Sequence, residues 1–211
     1  MKVLFVLTEQ GYWAEECIEP LKMISERHEV ELATPTGSRP EPDAASVEGY
    51  REFIEDSGHL QDPSSLMEAY RDQDEYDALV LPGGHGTLWD INQDRHVQEL
   101  LVSKVDDAGA LVICHAVGVL GFLPELVDGR EVTGFPDEWE TDQVDGDEVR
   151  EGRKLPYRVE AIVKSAGAVW RSNLSQDTSV VRDGNLVTAR GPDSSSEAAR
   201  EFLELLDDRE S

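Results

Sequence analysis

The sequence predicts an α/β fold: a three-layer sandwich whose flavodoxin-like, mostly parallel sheet has helices on both faces. Short apolar runs, such as 78–81 and 111–113, end in turns and are typical of strands. They alternate with segments of helical spacing, which favours parallel β-α units with ligands at the carboxyl ends of the strands. At 211 residues, we expect one domain spanning positions 1–211.

The first elements are a strand, a helix and a second strand. The apolar run KVLFVLT at 2–8 predicts the first strand. Ile18, Leu21 and Ile24 are spaced for one apolar face of the helix that follows. The next strand is expected at 30–33, which completes a β-α-β unit.

The segment 36–74 interrupts this alternation. It is polar, contains three prolines and has few strand signals, although its 60–70 portion has helical character. We expect a variable insertion that caps the site or forms a partner surface.

The second half returns to alternating strands and helices. In its first helix, Val97, Leu100, Leu101 and Val105 are spaced for one face. The elements expected after the strand at 78–81 are an amphipathic helix at 93–108, the strand at 111–113, an acidic loop at 142–154, a helix at 155–167 ending at a glycine, a hairpin turning at Asp183-Gly184, and a helix at 194–206 capped by Ser194, Ser195 or Ser196.

Cys114 is the first candidate for chemistry. The segment LVICHAVGVLGF at 111–122 predicts a strand, a sharp turn that acts as a nucleophile elbow, and a helix. The unpaired N–H groups and dipole of such a helix favour a thiolate, so we expect a lowered pKa for Cys114. His115 supplies a proton carrier from the same turn. The alternative from these residues alone is a buried structural cysteine.

A glycine turn follows the preceding strand. In PGGHG at 82–86, adjacent glycines permit an unusual backbone turn and a close approach to a ligand. An exposed N–H in this loop could bind a developing oxyanion beside Cys114. Gly83 and His85 are candidate substrate contacts. The alternative is an ordinary loop at the end of a strand, in which His85 only satisfies hydrogen bonds of the loop itself.

These segments resemble the signature blocks of the ThiJ/PfpI superfamily. PGGHGTLWD and ICHAVGVL look like its two principal blocks, and VTGFPDEWE at 132–140 is similar to the branch of glyoxalase III enzymes and heat-shock chaperones. The first 21 residues and the block from Val187 also fit, so the resemblance covers nearly the whole chain. It implies the class I glutamine-amidotransferase-like fold.

The resemblance implies a role for each member of a Cys-His-Glu set. Cys114 would be the nucleophile, and His115 its acid–base partner. Glu140 would orient His115, with Glu138 as the alternative because the register around Trp139 is ambiguous. The chain lacks the GxCxGxQ elbow and downstream HxE of glutamine amidotransferases, so glutamine hydrolysis is not expected.

A second carboxyl is implied beside the thiol. The resemblance selects Glu16. From the residues alone, Glu15, Glu16 and Glu19 could each simply stabilise the first helix by interacting with its dipole. A protonated Glu16 could donate to the sulfur, and an ionised one could take a proton from carbon. The resemblance also assigns the oxyanion hole to the backbone N–H groups of Gly84 and His115.

Other candidate residues surround this set. Trp13 and Trp139 lie in the blocks assigned to the site and are candidate pocket walls, although packing alone would also explain them. No His, Cys, Asp and Glu set has zinc spacing, and the sequence has no dinucleotide or phosphate loop. We therefore expect no metal and no cofactor.

The charge is strongly acidic. The formal net charge is −26, from 45 Asp and Glu against 19 Lys and Arg, spread through the chain rather than gathered in a tail. This indicates a surface adapted to a salty cytosol, as in a halophilic archaeon. It argues against nucleic acid and anionic membrane as partners.

The cellular compartment is predicted from the two cysteines and from the lengths of the apolar runs. Cys17 is expected to be a packed helix residue, and a Cys17–Cys114 disulfide is a rival possibility. We expect no signal peptide, because the first apolar run is too short, and no stretch reaches the ~20 apolar residues of a membrane span. A reducing cytoplasm is therefore predicted.

The resemblance implies a cofactor-free enzyme acting on small reactive carbonyls, of the glyoxalase III or D-lactate dehydratase type. Methylglyoxal and water would give lactate, and removal of glycation adducts from proteins would use the same thiol. The alternatives are a holdase chaperone or redox-stress protein with an oxidised Cys114, and a PfpI-type peptidase or amidase. A homodimer or higher homo-oligomer is expected.

Overall fold

The computed structural model describes residues 1–144, 154–171 and 179–210. Its strands are β1 (Lys2–Val6), β2 (Gln10–Tyr12), β3 (Glu29–Thr34), β4 (Glu41–Pro42), β5 (Ser64–Ser65), β6 (Ala78–Leu81), β7 (Gly109–Ile113), β8 (Glu131–Val132), β9 (Val169–Trp170), β10 (Val180–Asp183) and β11 (Leu186–Ala189).

Longer helices connect these strands, and short 3-10 helices occupy several turns. The α-helices are α1 (Ala14–Ser25), α2 (Arg51–Asp56), α3 (Gly58–Gln61), α4 (Leu66–Arg71), α5 (Arg95–Asp106), α6 (Pro124–Val127), α7 (Asp137–Val144), α8 (Val159–Ser165) and α9 (Ser195–Glu210). The 3-10 helices are Ala44–Ser46, Gln73–Glu75, His85–Leu88, Cys114–Phe122 and Pro192–Ser194. None of these described helices is both long and apolar enough to cross a bilayer.

A seven-stranded sheet forms the centre, in the order β10-β11-β7-β6-β1-β3-β5. Each neighbouring pair is parallel except β10 and β11, which form the predicted hairpin at one edge. Two small sheets, β2 with β4 and β8 with β9, lie outside it. The predicted mostly parallel α/β sheet is therefore confirmed.

Alternating side chains give the sheet an apolar layer on each face. Val3 and Phe5 belong to one buried cluster with residues of α1 and α9, such as Phe202. Leu4 and Val6 belong to a second cluster, which includes residues of α5. Because successive strand residues point to opposite faces, one apolar strand can pack against both helical layers.

The insertion contains more regular structure than its sequence suggests. The helical portion predicted at 60–70 is wrong in its middle, where β5 pairs with β3 as an edge strand. Pro63 interrupts the helix, and a capping box between Ser65 and Glu68 starts α4 anew. The backbone N–H of Ala14 donates to Ser46 Oγ at 2.9 Å, so part of the insertion supports the beginning of α1.

Helix boundaries also differ from the prediction. The helix expected at 93–108 is shorter, because Asp94 caps its N-terminus through the N–H groups of His96 and Val97. The helix expected at 155–167 begins only at Val159, whereas its end at Gly167, with φ of 99°, is as predicted. Of the acidic loop expected at 142–154, residues up to 144 belong to α7, and 145–153 lie outside the described residues.

Candidate active site

The elbow at Cys114 has an unusual backbone conformation. Cys114 has φ of 57°, the only positive value at a non-glycine position among the described residues. It directly follows β7, and a 3-10 helix rather than an α-helix continues the chain. Asn92 Nδ2 donates to the carbonyl oxygen of His115 at 2.9 Å and so braces the turn. Strain of this kind persists only where surrounding contacts hold it, and it aims the side chain out of the sheet end.

Cys114, His115 and Glu140 form a continuous chain of contacts. Cys114 Sγ lies 3.2 Å from His115 Nδ1, and His115 Nε2 lies 2.7 Å from Glu140 Oε2. Glu140 comes from α7 and is buried, whereas the alternative residue, Glu138, is exposed. The geometry therefore selects Glu140 as the partner of His115.

The charge of Glu140 fixes the tautomer of His115. Burial by itself would raise the pKa of Glu140, but hydrogen bonds from His115 and His85 outweigh burial and hold that pKa well below its usual range. An ionised carboxylate only accepts hydrogen bonds, so the Nε2 atom of His115 carries a hydrogen. In a neutral His115, the Nδ1 lone pair then faces the thiol.

Glu16 of α1 is a buried acid beside the thiol. It is fully enclosed, and burial raises its pKa to about 8, although the Cys114 thiol and the backbone N–H of Gly83 partly offset this effect. Neither carboxyl oxygen has a hydrogen-bond partner of good geometry among the described residues. At neutral pH most of this carboxyl is therefore protonated.

The expected low pKa of Cys114 is wrong for this resting arrangement. Burial, followed by the adjacent Glu16 carboxyl, raises the pKa of Cys114 well above its ordinary value, and the backbone N–H of His115 offsets only part of this. The thiol is 4% exposed, so desolvation outweighs the turn N–H groups. Cys114 is therefore a neutral thiol at neutral pH in this arrangement, with His115 Nδ1 lying 3.2 Å from its sulfur.

The glycine turn packs tightly against the site. A Cβ at Gly83 would overlap Glu16 Oε2 and lie 2.6 Å from the carbonyl oxygen of Ile113. Gly84 has φ of 108°, which favours glycine. The backbone N–H of Trp13 donates to the carbonyl oxygen of Gly83 at 3.1 Å, so the turn is fixed to the chain entering α1.

His85 contacts Glu140 and His115 from a second side. Its Nε2 lies 3.0 Å from Glu140 Oε1, and its ring is 3.9 Å from that of His115 between centroids. The ring of Phe135 stacks on His115 at 4.3 Å. Sequence reasoning missed Phe135 and Asn92; the GFPDEWE block was the only signal that could have pointed to Phe135.

Aromatic and charged side chains lie around this centre. Trp13 is half-buried, whereas Trp139 is exposed over 38% of its surface. The guanidinium of Arg190, a residue not foreseen, lies 5.0 Å from the centroid of the Trp139 ring and pairs with Asp193. Arg190 is followed by Gly191, where a Cβ would lie 3.8 Å from Cys114 Sγ.

Three side chains of the site are grouped closely enough to be considered as metal ligands. Ligand atoms of His85, His115 and Glu140 all lie within 4.8 Å of one another, a grouping that sequence spacing did not predict. The facing atoms of these three residues are already joined by hydrogen bonds.

Cys17 and Cys114 are both free thiols, so the rival disulfide is absent.

Comparison with known proteins places this arrangement in a family. A deglycase from Thermococcus kodakarensis is 31% identical over 209 residues, covering 98% of this chain and 99% of the relative. Glyoxalase 3 from Candida albicans is 24% identical over 236 residues, covering 96% of this chain and 97% of the relative. The crystal structure of glyoxalase III from Candida albicans superposes with a TM-score of 0.80 at 21% identity, covering 96% and 97% of the two chains. The profile of the DJ-1/PfpI family matches residues 1–205, and the chain belongs to that family.

Proposed function

We propose that the protein is a cofactor-independent enzyme of the glyoxalase III type, which converts small reactive carbonyls such as methylglyoxal into hydroxy acids. The observation that carries this proposal is the chain Cys114–His115–Glu140 with the protonated Glu16 beside the sulfur. The similarity to proteins named glyoxalase and deglycase supports the same chemistry.

The first step is addition of the thiol to the aldehyde. His115 Nδ1 takes the proton from Cys114 as the sulfur attacks the aldehyde carbon, and Glu140 stabilises the imidazolium that forms. The backbone N–H groups of Gly84 and His115 are proposed to hold the developing oxyanion. With a proton returned to the oxygen, the product of this step is a hemithioacetal.

The second step moves a proton between the two substrate carbons. A carboxylate at Glu16 removes the proton from the carbon bonded to sulfur, and an enediolate forms with its charge on the former ketone oxygen. Glu16 then delivers the same proton to the neighbouring carbon, while the hydroxyl proton of the carbon bonded to sulfur passes to the former ketone oxygen. The result is a thioester on Cys114 and a hydroxyl on the substrate. Because Glu16 has a pKa of about 8, both its acid and base forms are populated near neutral pH.

Hydrolysis completes the reaction. Water, activated by His115, attacks the thioester, and Cys114 leaves as the thiol with a proton from His115. In the overall reaction methylglyoxal and water give lactate, so one carbon is oxidised and its neighbour reduced within the same molecule. The reaction therefore balances without a redox cofactor.

The enclosure of the thiol favours a small substrate. Cys114 is 4% exposed and Glu16 is fully enclosed, an arrangement better suited to a three-carbon aldehyde than to an extended peptide. Among the described residues, the exposed large hydrophobic side chains are Met67, Trp139 and Val169. This set is small for a holdase, whose function would rest on apolar surface.

The proposal includes the solution environment and the oligomeric state of the enzyme. The acidic composition supports a salt-rich cytoplasm as the working environment. We propose a homodimer or higher homo-oligomer, which light scattering coupled to gel filtration in molar KCl would test. A monomer at micromolar concentration would contradict this assembly.

One assay tests the activity directly. Purified protein in molar KCl is incubated with methylglyoxal, without glutathione, and lactate is measured by an enzyme-coupled assay. The expected result is lactate formation proportional to protein and absent from Cys114→Ser. Absence of lactate across several salts and aldehydes, with suppression of client aggregation by the same preparation, would favour the holdase instead.

A further inference from the structure

His85 is not part of the proposed reaction steps, although its contacts lie inside the site. It is 6% exposed and belongs to the 3-10 helix His85–Leu88 that follows the glycine turn. Its side chain turns away from solvent and reaches Glu140 of α7, 55 residues later in the chain. A residue whose only task was to satisfy its own loop would not need this long-range contact.

The contacts of Glu140 are divided between two imidazoles. Oε1 faces His85 Nε2 at 3.0 Å, and Oε2 faces His115 Nε2 at 2.7 Å. Glu140 is ionised, so each Nε2–H donates to one oxygen. With both oxygens engaged, rotation of the carboxylate about its last bond would break two buried hydrogen bonds together, which is costly.

The ring of His85 also limits the movement of His115. The two ring centroids are 3.9 Å apart with an interplanar angle of 39°, and Phe135 contacts His115 from another direction. His115 is therefore held by an oxygen at Nε2 and by rings against its faces, which leaves Nδ1 directed at Cys114 Sγ.

We propose that His85 is a positioning residue: it fixes the Glu140 carboxylate, and through it the tautomer and orientation of His115. This role rests on the proposed carbonyl reaction, which it serves by keeping the proton acceptor aimed at the thiol. His85 itself touches neither the sulfur nor the transferred protons. It differs in this respect from a substrate contact, the role that its position in the glycine turn first suggested.

Three variants separate positioning from substrate binding. His85→Leu removes the donor while keeping much of the volume, and His85→Gln keeps an N–H in a similar place. His59→Leu is the matched control, because His59 is exposed and lies in the insertion. For His85→Leu we expect kcat to fall about 10- to 100-fold, the range for loss of a hydrogen bond to a charged group, with KM changed less than about twofold. His85→Gln should recover most of kcat, and His59→Leu should match wild type.

A second readout does not depend on carbonyl turnover. In a Cys17→Ser background Cys114 is the only thiol, and its alkylation by iodoacetamide is followed against pH. His85→Leu should move the alkylation profile to higher pH, because a less well-held Glu140 stabilises the His115 imidazolium less. The profile should stay near that of wild type in His85→Gln and His59→Leu.

A double-mutant cycle identifies the partner through which His85 acts. If His85 works through Glu140, His85→Leu should cost little further activity in a Glu140→Gln background. Additive losses would overturn the proposal, as would a raised KM with unchanged kcat and alkylation profile, or a His85→Gln variant as impaired as His85→Leu. If wild type forms no lactate, the proposed reaction fails, and the alkylation profiles alone decide whether His85 positions His115.

Discussion

Cys114 and Cys17 are chemically different thiols although both are buried. Burial raises the pKa of each, but only Cys114 has an imidazole nitrogen 3.2 Å from its sulfur to receive the proton. Cys17 belongs to α1 and packs in the apolar core. In the proposed reaction, activation of Cys114 therefore comes from the neighbouring base rather than from a permanently low thiol pKa.

Replacement of the two thiols should accordingly have different results. Cys114→Ser is expected to abolish conversion of methylglyoxal to lactate, since a serine hydroxyl is a far weaker nucleophile with the same base. Cys17→Ser should retain most of the turnover, measured as lactate formed in molar KCl. Comparable rates in the two variants would remove Cys114 from the mechanism.

The two glutamates of the GFPDEWE block offer a matched pair of substitutions. Glu140→Gln leaves His115 without a buried anion and should lower kcat by about 100-fold or more. Glu138→Gln changes an exposed carboxylate two residues away and should leave kcat near the wild-type value. Steady-state kinetics of both variants would test this. Equal losses of kcat in the two variants would contradict the assignment of Glu140, rather than Glu138, as the partner of His115.

Glu16 makes a prediction about stability and pH. Because burial raises its pKa to about 8 from the 4.5 of an exposed glutamate, the folded protein keeps a proton that the unfolded chain releases. This contribution to the free energy of unfolding is complete below about pH 4.5 and is lost as pH rises toward 8. Glu16→Gln has no such proton to lose, so its stability relative to wild type should rise between pH 5 and 8.

Denaturant unfolding of wild type and Glu16→Gln at pH 5 and pH 8, in one salt concentration, measures this difference. Between pH 5 and pH 8 the free energy of unfolding of Glu16→Gln should rise relative to that of wild type by on the order of a few kcal/mol. The same variant should be about 10²- to 10⁴-fold less active than wild type. A stability difference that is independent of pH would mean that Glu16 is ionised throughout in the folded protein.

At the scale of elements, the site depends on the close approach of two turns. The glycine turn after β6 and the elbow after β7 follow neighbouring parallel strands, so both emerge at the same edge of the sheet. α1 brings Glu16 to this edge from beside β1, which pairs with β6. Gly83 lies where these elements meet, and its missing side chain leaves space for the Glu16 carboxyl.

Gly83→Ala should therefore damage both stability and activity. The added methyl would overlap Glu16 Oε2 and crowd the carbonyl oxygen of Ile113, and overpacking of this kind costs about 1–3 kcal/mol. For a chain of this size, each kcal/mol lowers the thermal midpoint by about 2–4 °C. Gly58→Ala is the control, because a Cβ at Gly58 in α3 meets nothing within 4 Å.

The thermal midpoints of the two alanine variants, measured beside their lactate formation, give a direct comparison. Gly58→Ala should equal or exceed wild type in stability, since alanine is favoured over glycine within a helix. A Gly83→Ala protein with wild-type stability and turnover would mean that the turn is not closely packed on Glu16.

At the scale of the whole molecule, acidic groups greatly outnumber the cations that could pair with them. The formal net charge is −26. Lys2 illustrates the consequence, because its Nζ lies 4.0 Å from Glu29, 3.0 Å from Glu31 and 3.2 Å from Glu75. One cation thus offsets the mutual repulsion of three carboxylates at the end of the sheet.

Stability should depend strongly on salt for this reason. We expect the thermal midpoint to rise steeply between dilute buffer and molar KCl, where the screening length is only ~3 Å. Thermal unfolding over a KCl series measures this, with a parallel series in sucrose as a control for general solvent exclusion. A midpoint that does not change across the KCl series would rule out adaptation to a salty cytosol.

The sequence by itself determined the β-α alternation that forms most of the central sheet, the elbow and the glycine turn. Apolar runs such as 78–81 and 111–113 define buried strands, and β-α alternation implies parallel pairing. Ser65 and Pro63 carried local signals that could have divided the helix expected at 60–70. β5 could not be foreseen in this way, since a two-residue edge strand is formed by its partner β3 rather than by its own sequence.

Only the tertiary structure decided which groups meet and what charge they carry. Sequence spacing could not choose between Glu138 and Glu140, because the choice depends on which face of α7 turns toward His115. It could not place His85 on Glu140, a contact across 55 residues, and it predicted the wrong direction for the pKa of Cys114. The physical reason is that motif residues specify local chemistry, whereas burial and long-range hydrogen bonds, which set pKa and orientation, arise only when distant segments pack together.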